Sequence, residues 1–140
     1  MQVNTFFLLA DDDHDDAELF NEALSTVNPS IKFHHVEDGQ EVFQFLLNSK
    51  IKKPDVIFLD LNMPAMSGWQ CLAKLKNDPL LKDIPVIMLS SQDKIEVAVN
   101  CMHHHAYDYV VKSETAFMRL KKIISNALHY QKIQKELLGL

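Results

Sequence analysis

The sequence predicts an α/β domain in which five parallel strands alternate with five helices, with helices on both faces of the sheet. Three observations lead there. Apolar runs of strand length alternate with segments of helical spacing along the whole chain. The strand candidates are apolar almost throughout rather than alternating, as strands buried on both faces are. No repeat, low-complexity tract or linker interrupts the 140 residues, so residues 1–140 read as one domain.

The elements follow in order. "TFFLLA" is a short buried strand, and "DDAELFNEALSTV" a helix carrying Ala17, Phe20, Ala23 or Leu24, and Val27 at helical spacing. Acids stand in its first turn, where they favour the helix dipole. "IKFHHVE" reads as a strand and "GQEVFQFLLN" as a short helix. "DVIFLDL" is a strongly apolar strand, followed by the helix "GWQCLAKLKN". "IPVIMLSS" is the fourth strand, "KIEVAVNCM" a helix and "YDYVVK" the fifth strand. A long helix, "ETAFMRLKKIISNALHYQKIQKELLGL", closes the chain.

Composition narrows the function classes. Hydrophobic residues make up 47% and charged residues 24%, an ordinary globular balance. A net charge of −5 argues against a nucleic-acid footprint. There is no apolar run long enough to cross a membrane, and the N-terminus lacks the basic start of a signal peptide. Cys71 and Cys101 fit no metal or redox spacing, so a reducing, cytoplasmic setting is expected.

The strand ends carry the chemistry. In open parallel sheets ligands bind at the carboxyl ends of the strands. Asp11 and Asp12 follow strand 1, Asp60 ends strand 3, Ser90 and Ser91 follow strand 4, and Lys112 ends strand 5. Three carboxylates, a hydroxyl and an ammonium are therefore expected at one edge. Two unit charges about 5 Å apart repel by roughly 3 kcal/mol at an effective dielectric near 20. Acids gathered in this way call for a hard, oxygen-loving dication, Mg²⁺ in the first instance.

With "LLADDD", "IFLDLNMPAMSGWQ", "IPVIMLSS" and "DYVVK" in this order and spacing, the sequence resembles the CheY-like receiver domain of two-component response regulators from about residue 4 to 128. The resemblance implies a flavodoxin-like (βα)5 fold. It also implies a role for each residue of the motifs. Asp60 matches the phosphoacceptor, Asp12 the direct metal ligand, and Asp11 its partner acting through water. Asn62 matches the position whose backbone carbonyl ligates the metal. Ser90 matches the switch hydroxyl, Lys112 the lysine that pairs with the phosphoryl oxygens, and Tyr109 the aromatic residue whose rotamer reports phosphorylation. Met63, Pro64 and Gly68 match the loop that turns into helix 3. The implied function is a phosphorylation-controlled switch, not an enzyme acting on other molecules. A histidine kinase or histidine phosphotransfer protein donates to Asp60, and a protein target reads the result.

Asp13 and Asp15 read as helix N-terminal acids, and the run His103, His104 and His105 as solvated or capping histidines, since consecutive helical positions point apart. Two departures from the family pattern stand out. Ser113 follows Lys112, where the family usually has proline after a cis bond, and His105 stands where glycine would cap helix 4 with positive φ. Two rival functions remain: a haloacid-dehalogenase-like phosphatase with Asp11 as nucleophile and Asp13 as acid, and a receiver-like module that no longer accepts phosphate. Residues 129–140 lie beyond the resemblance. There Tyr130, Ile133 and Leu137 form a second apolar stripe, rotated from the face made by Phe117, Leu120, Ile123, Ile124, Ala127 and Leu128. That stripe folds back on the domain or meets a partner; a homodimer through it, or through the helix 4–strand 5–helix 5 face, is the sharper expectation. No output domain is expected after helix 5.

Overall fold

The structure is a computed structural model that describes residues 5–48, 50–112 and 116–139. It contains β1 (Phe6–Ala10), α1 (His14–Val27), β2 (Lys32–Val36), α2 (Gly39–Leu46), β3 (Val56–Asp60), α3 (Gly68–Lys76), β4 (Val86–Ser90), α4 (Ile95–His103), β5 (Asp108–Val111) and α5 (Ala116–Leu137). All strand pairings are parallel and the order is β2-β1-β3-β4-β5, so this is the doubly wound (βα)5 sheet that the alternation predicts. The chain starts in the middle, runs outward to β2, and then crosses back to β3. The reversal lies between β1 and β3, and it opens a crevice where Asp11 and Asp60 end their strands.

Period-two alternation divides the core. Phe7, Leu9, Val56, Phe58, Ile87, Leu89 and Val110 face α1 and α5, where Phe20, Leu24, Ile123, Ile124 and Ala127 cover them. Leu8, Ala10, Ile57, Leu59, Val86 and Met88 face the other way, onto Val42, Phe43 and Leu46 of α2 and Cys71, Leu72 and Leu75 of α3. β3 and β4 are buried along their whole length, which explains the apolar runs that lead up to Asp60 and Ser90. Cys71 and Cys101 are buried and free, and burial pushes their thiols up to about 12 and about 11, so both act as core filler.

Several helix starts are fixed by side chains. Asp13 caps α1, accepting from the amides of Asp15 and Asp16 at 2.9 and 3.1 Å. Asp38 caps α2, and Ser67 with Gln70 forms a reciprocal capping box on α3. α4 has no side-chain cap at its N-terminus. It closes through His105, which holds φ at 70° as expected where glycine is replaced. Gly68 is required by a close approach: a Cβ there would lie 2.3 Å from the Asp60 carbonyl oxygen, so only glycine lets α3 start hard against the end of β3. Ala65 in the β3–α3 loop also has a positive φ of 65°, which the sequence did not signal.

The α5 expectations divide. Ile123, Ile124 and Ala127 are buried and Leu128 packs against them, whereas the side chains of Phe117 and Leu120 lie outside the described residues. The Lys112–Ser113 peptide lies outside them too. Past residue 128 the stripe splits. Tyr130 folds back, its ring 4.6 Å from that of Tyr107 and its oxygen accepting from Gln134 Nε2. Ile133, Leu137 and Leu138 stay 41%, 80% and 70% exposed. Among the described residues no helix is long and apolar enough to cross a membrane.

Candidate functional site

The five strand-end residues do converge. Asp11, Asp60 and Ser90 are the buried polar residues among those described, at 1%, 4% and 0% exposure. Each lies at or just past the end of a central strand. Backbone bonds from Asp11 N to the Val36 carbonyl, Leu61 N to the Leu89 carbonyl and Lys112 N to the Ser90 carbonyl carry the ladder past those ends and fix where the side chains emerge.

Lys112 is the hub. Its Nζ donates to Asp11 Oδ2 at 2.7 Å and lies 3.0 Å from Asp16 Oδ2 and 3.4 Å from Asp60 Oδ2. Asp11 Oδ1 accepts from the Asp13 amide, and Asp60 Oδ1 from the Asn62 amide at 3.3 Å. Ser90 Oγ accepts from the Gln92 amide. Tyr109 is buried with its hydroxyl donating to the Gln92 carbonyl, in the same β4–α4 loop. Gln92 therefore touches the serine through its amide and the tyrosine through its carbonyl, which gives a short physical path between them. Ser91 is exposed beside Ser90.

The electrostatics fit a bound dication. Asp11, Asp12 and Asp60 each offer an oxygen, and these oxygens lie within 4.8 Å of one another. Asp11, Asp16 and Asp60 share the one ammonium of Lys112, and Asp12 adds a further carboxylate to the cluster. Burial, with Asp11 as a like-charged neighbour, pushes the Asp60 carboxyl up to about 6 despite the opposing pull of Lys112. For Lys112, burial pulls the ammonium down, but the bond to Asp11 and the charges of Asp11 and Asp60 outweigh it and hold the pKa above the usual lysine value. The site is thus an all-oxygen donor set with surplus negative charge, the chemistry of a divalent hard-cation site.

Asp13 is exposed and spends its carboxylate on the α1 cap, and Asp11 is enclosed with both oxygens bonded. Asp13 is therefore not placed as the acid of a phosphatase. His103, His104 and His105 are exposed, and His104 Nδ1 bonds the Asn100 carbonyl of its own helix, so they form no metal site.

The family model of the response regulator receiver domain matches residues 7–125. This chain belongs to that family. The receiver is 31% identical over 110 residues to response regulator Rcp1 of Synechocystis sp., covering 76% of this chain and 75% of Rcp1. It is 39% identical over 77 residues to the two-component response regulator-like protein APRR9 of Arabidopsis thaliana, spanning 16% of that longer protein. Among solved structures, the phosphorylated cyanobacterial phytochrome response regulator RcpA superposes with a TM-score of 0.83 at 31% identity, covering 90% of this chain and 95% of RcpA. The Mn²⁺-bound form of Rcp1 superposes with a TM-score of 0.80 at 29% identity, covering 86% of this chain and 92% of that one. The protein is therefore a receiver domain of the two-component response regulators, a class that takes phosphoryl groups from histidine kinases or phosphotransfer proteins.

Two receiver-site contacts escaped the sequence reading. Asp16 was visible only as one more acid of a helix start, yet it shares the Lys112 ammonium. His35 was read as part of a strand, yet its Nε2 reaches the Asp11 backbone carbonyl. A histidine near the end of the strand beside β1 is the signal that could have found it.

Proposed function

We propose that Asp60 is the phosphoacceptor and that Mg²⁺ is the ion that serves it. Asp11, Asp12 and Asp60 would hold the ion, together with the Asn62 backbone carbonyl. The observation that carries this reading is the gathering of oxygens from Asp11, Asp12 and Asp60 within 4.8 Å of one another, with Asp11 and Asp60 on the Lys112 ammonium and the buried Ser90 hydroxyl at the end of the neighbouring strand. A carboxylate oxygen of Asp60 attacks the phosphorus of phosphohistidine as the P–N bond breaks, and the histidine nitrogen leaves with the bonding pair. When bound, the ion supplies positive charge against the phosphoryl oxygens. Lys112 supplies a second such charge, and the exposed flank at Ser91 leaves room for the donor.

The switch follows from the β4–α4 loop. Ser90 gives up its bond to the Gln92 amide to donate to the phosphoryl group, which pulls on the loop that Tyr109 holds through the Gln92 carbonyl. A pre-existing equilibrium of the α4–β5–α5 face then shifts. The partners are a cytoplasmic histidine kinase or phosphotransfer protein and a downstream protein target. The chain catalyses its own phosphorylation and dephosphorylation only.

Mg²⁺ is expected to raise the melting temperature, because it binds the folded state alone. The pH dependence has a definite sign. A carboxyl raised to about 6 favours the metal-free fold below about pH 4, and that contribution is lost as pH rises through 6. The ion must displace this proton, so its stabilisation should be small at pH 5 and full above pH 7. Asp12→Ala should remove most of it and Asp13→Ala little; the reverse order in a thermal-shift series would favour the phosphatase-like site.

Self-association is the second part of the proposal. Ile95, Val99 and Met102 lie along the outer side of α4 at 77%, 48% and 48% exposure, and Ile133 and Leu137 of α5, with Leu138 just past its end, form a second exposed apolar group. Light scattering on the full chain and on one ending at Leu128, with and without a phosphoryl mimic, should show a larger mass for the activated full chain. Four identical monomer masses would remove self-association.

A further inference from the structure

We propose that His35 is a positioning residue for the acidic loop, holding the peptide that joins Asp11 to Asp12 so that both carboxylates meet the ion together. This rests on the metal reading of Asp11, Asp12 and Asp60 given above.

The loop between β1 and α1 carries three consecutive carboxylates, and their repulsion favours an opened loop. Lys112 opposes the opening from the side of β5, and three further bonds act on the backbone of the loop. The Asp11 amide donates to the Val36 carbonyl at 3.0 Å, and the Asp13 amide donates to Asp11 Oδ1 at 2.9 Å. The third comes from a side chain: His35 Nε2 lies 2.7 Å from the Asp11 carbonyl oxygen. A carbonyl only accepts, so the proton of this bond sits on His35 Nε2. β2 therefore grips Asp11 on both sides, through Val36 at its amide and His35 at its carbonyl.

The grip matters for two residues at once. The Asp11 carbonyl belongs to the same rigid peptide plane as the Asp12 amide. Fixing that plane fixes where the Asp12 Cα sits and so limits where its carboxylate can reach. Asp12 is exposed and has no strand of its own to place it, so this plane is its anchor.

His35 is itself held. β2 pairs in register with β1, which sets His35 opposite Leu9 on the α1 side of the sheet. There its ring meets that of His14, the first residue of α1, edge-on with centroids 6.1 Å apart. His14 Nε2 in turn contacts the Glu37 carboxylate just after β2. The half-buried His35 ring is thus bracketed by the elements on either side of the acidic loop.

Loss of the clamp lowers the fraction of chains whose loop is ready for the ion, and the apparent affinity falls by the same fraction. One lost hydrogen bond of ordinary strength corresponds to about a three- to tenfold weaker affinity. The chemistry of the imidazole provides the control. A glutamine amide nitrogen sits near the position of Nε2, whereas an asparagine amide nitrogen sits near Nδ1 and falls short of the carbonyl.

The test is calorimetric titration of Mg²⁺ into wild type, His35→Leu, His35→Gln and His35→Asn at pH 8, each confirmed as folded by circular dichroism, with the Mg²⁺ dependence of acetyl phosphate labelling measured in parallel. His35→Leu and His35→Asn should bind Mg²⁺ about three- to tenfold more weakly, and His35→Gln should bind within about twofold of wild type. Half-saturation of labelling should move by the same factor, with a smaller change in the rate at saturating Mg²⁺. If His35→Leu does not fold, the Gln and Asn pair decides. Equal affinity in all variants, or His35→Gln as weak as His35→Asn, would overturn the proposal while leaving the metal site intact. No saturable binding by wild type would overturn both.

Discussion

An Asp60→Asn chain is expected to lose phosphorylation by acetyl phosphate and Mg²⁺ entirely, a fall of at least ~10³-fold in rate. An amide oxygen carries no formal charge and forms no acyl phosphate. The fold should survive, because the residue keeps an oxygen to accept from the Asn62 amide at the end of a buried strand. Stability without Mg²⁺ should rise at pH 7. The Asp60 carboxyl stands at about 6 against an ordinary 3.8, and at about 1.4 kcal/mol per pH unit this sets an upper bound of ~3 kcal/mol. A variant that neither labels nor responds to Mg²⁺, yet melts higher than wild type without the ion, is the expected combination. Intact mass and thermal denaturation together measure it.

Lys112→Met is expected to give the second largest effect. Methionine keeps most of the stem and removes the charge. Losing one preorganised positive donor at a charge-developing site costs ~10²- to 10³-fold in rate. The structural effect is also large, because Lys112 is the shared partner of Asp11, Asp16 and Asp60 and Asp11 is 1% exposed. Leaving that carboxylate without its cation costs on the order of 3–5 kcal/mol. Its pH signature differs from that of Asp60. Lys112 titrates above the usual lysine value in the folded state, so its contribution is fully present below about pH 10 and is lost only in stronger alkali. Mg²⁺ should restore part of the lost stability, since the ion relieves the same repulsion, but it should not restore the labelling rate. Urea denaturation with and without Mg²⁺ would show this.

The fold was legible because the strands advertise it. "VIFLD" and "VIMLS" are apolar up to their last residue because α helices cover both faces of β3 and β4, and the structure buries every residue in them. Strand order then placed Asp11, Asp60, Ser90 and Lys112 at one edge without knowledge of any side chain. What remained hidden depends on register and rotamer. Asp16 reaches Lys112 because α1 begins one turn beyond β1, and nothing in "DDDHDD" separates that acid from Asp15. His35 reaches Asp11 because β2 pairs with β1 at Leu9, a register that apolar pattern alone sets weakly at a half-exposed edge strand. Ala65 adopts a positive φ in the β3–α3 loop, a conformation that alanine, unlike glycine or asparagine, does not signal. The C-terminal stripe was half legible. Helical spacing located Tyr130, Ile133 and Leu137, but only the position of Tyr107 decides that Tyr130 turns inward while the others stay in solvent.

The central claim is that Asp60, and not an aspartate of the opening loop, carries the phosphoryl group. The most direct measurement is to label the protein with acetyl phosphate and Mg²⁺, reduce the acyl phosphate with borohydride, and find the resulting homoserine by peptide mass spectrometry. The expected result is one modified aspartate, at Asp60 in "VIFLDLNMP". Homoserine at Asp11 would contradict the account and point to the phosphatase-like site, and an unmodified chain under saturating donor and Mg²⁺ would contradict it in favour of a receiver that no longer accepts phosphate.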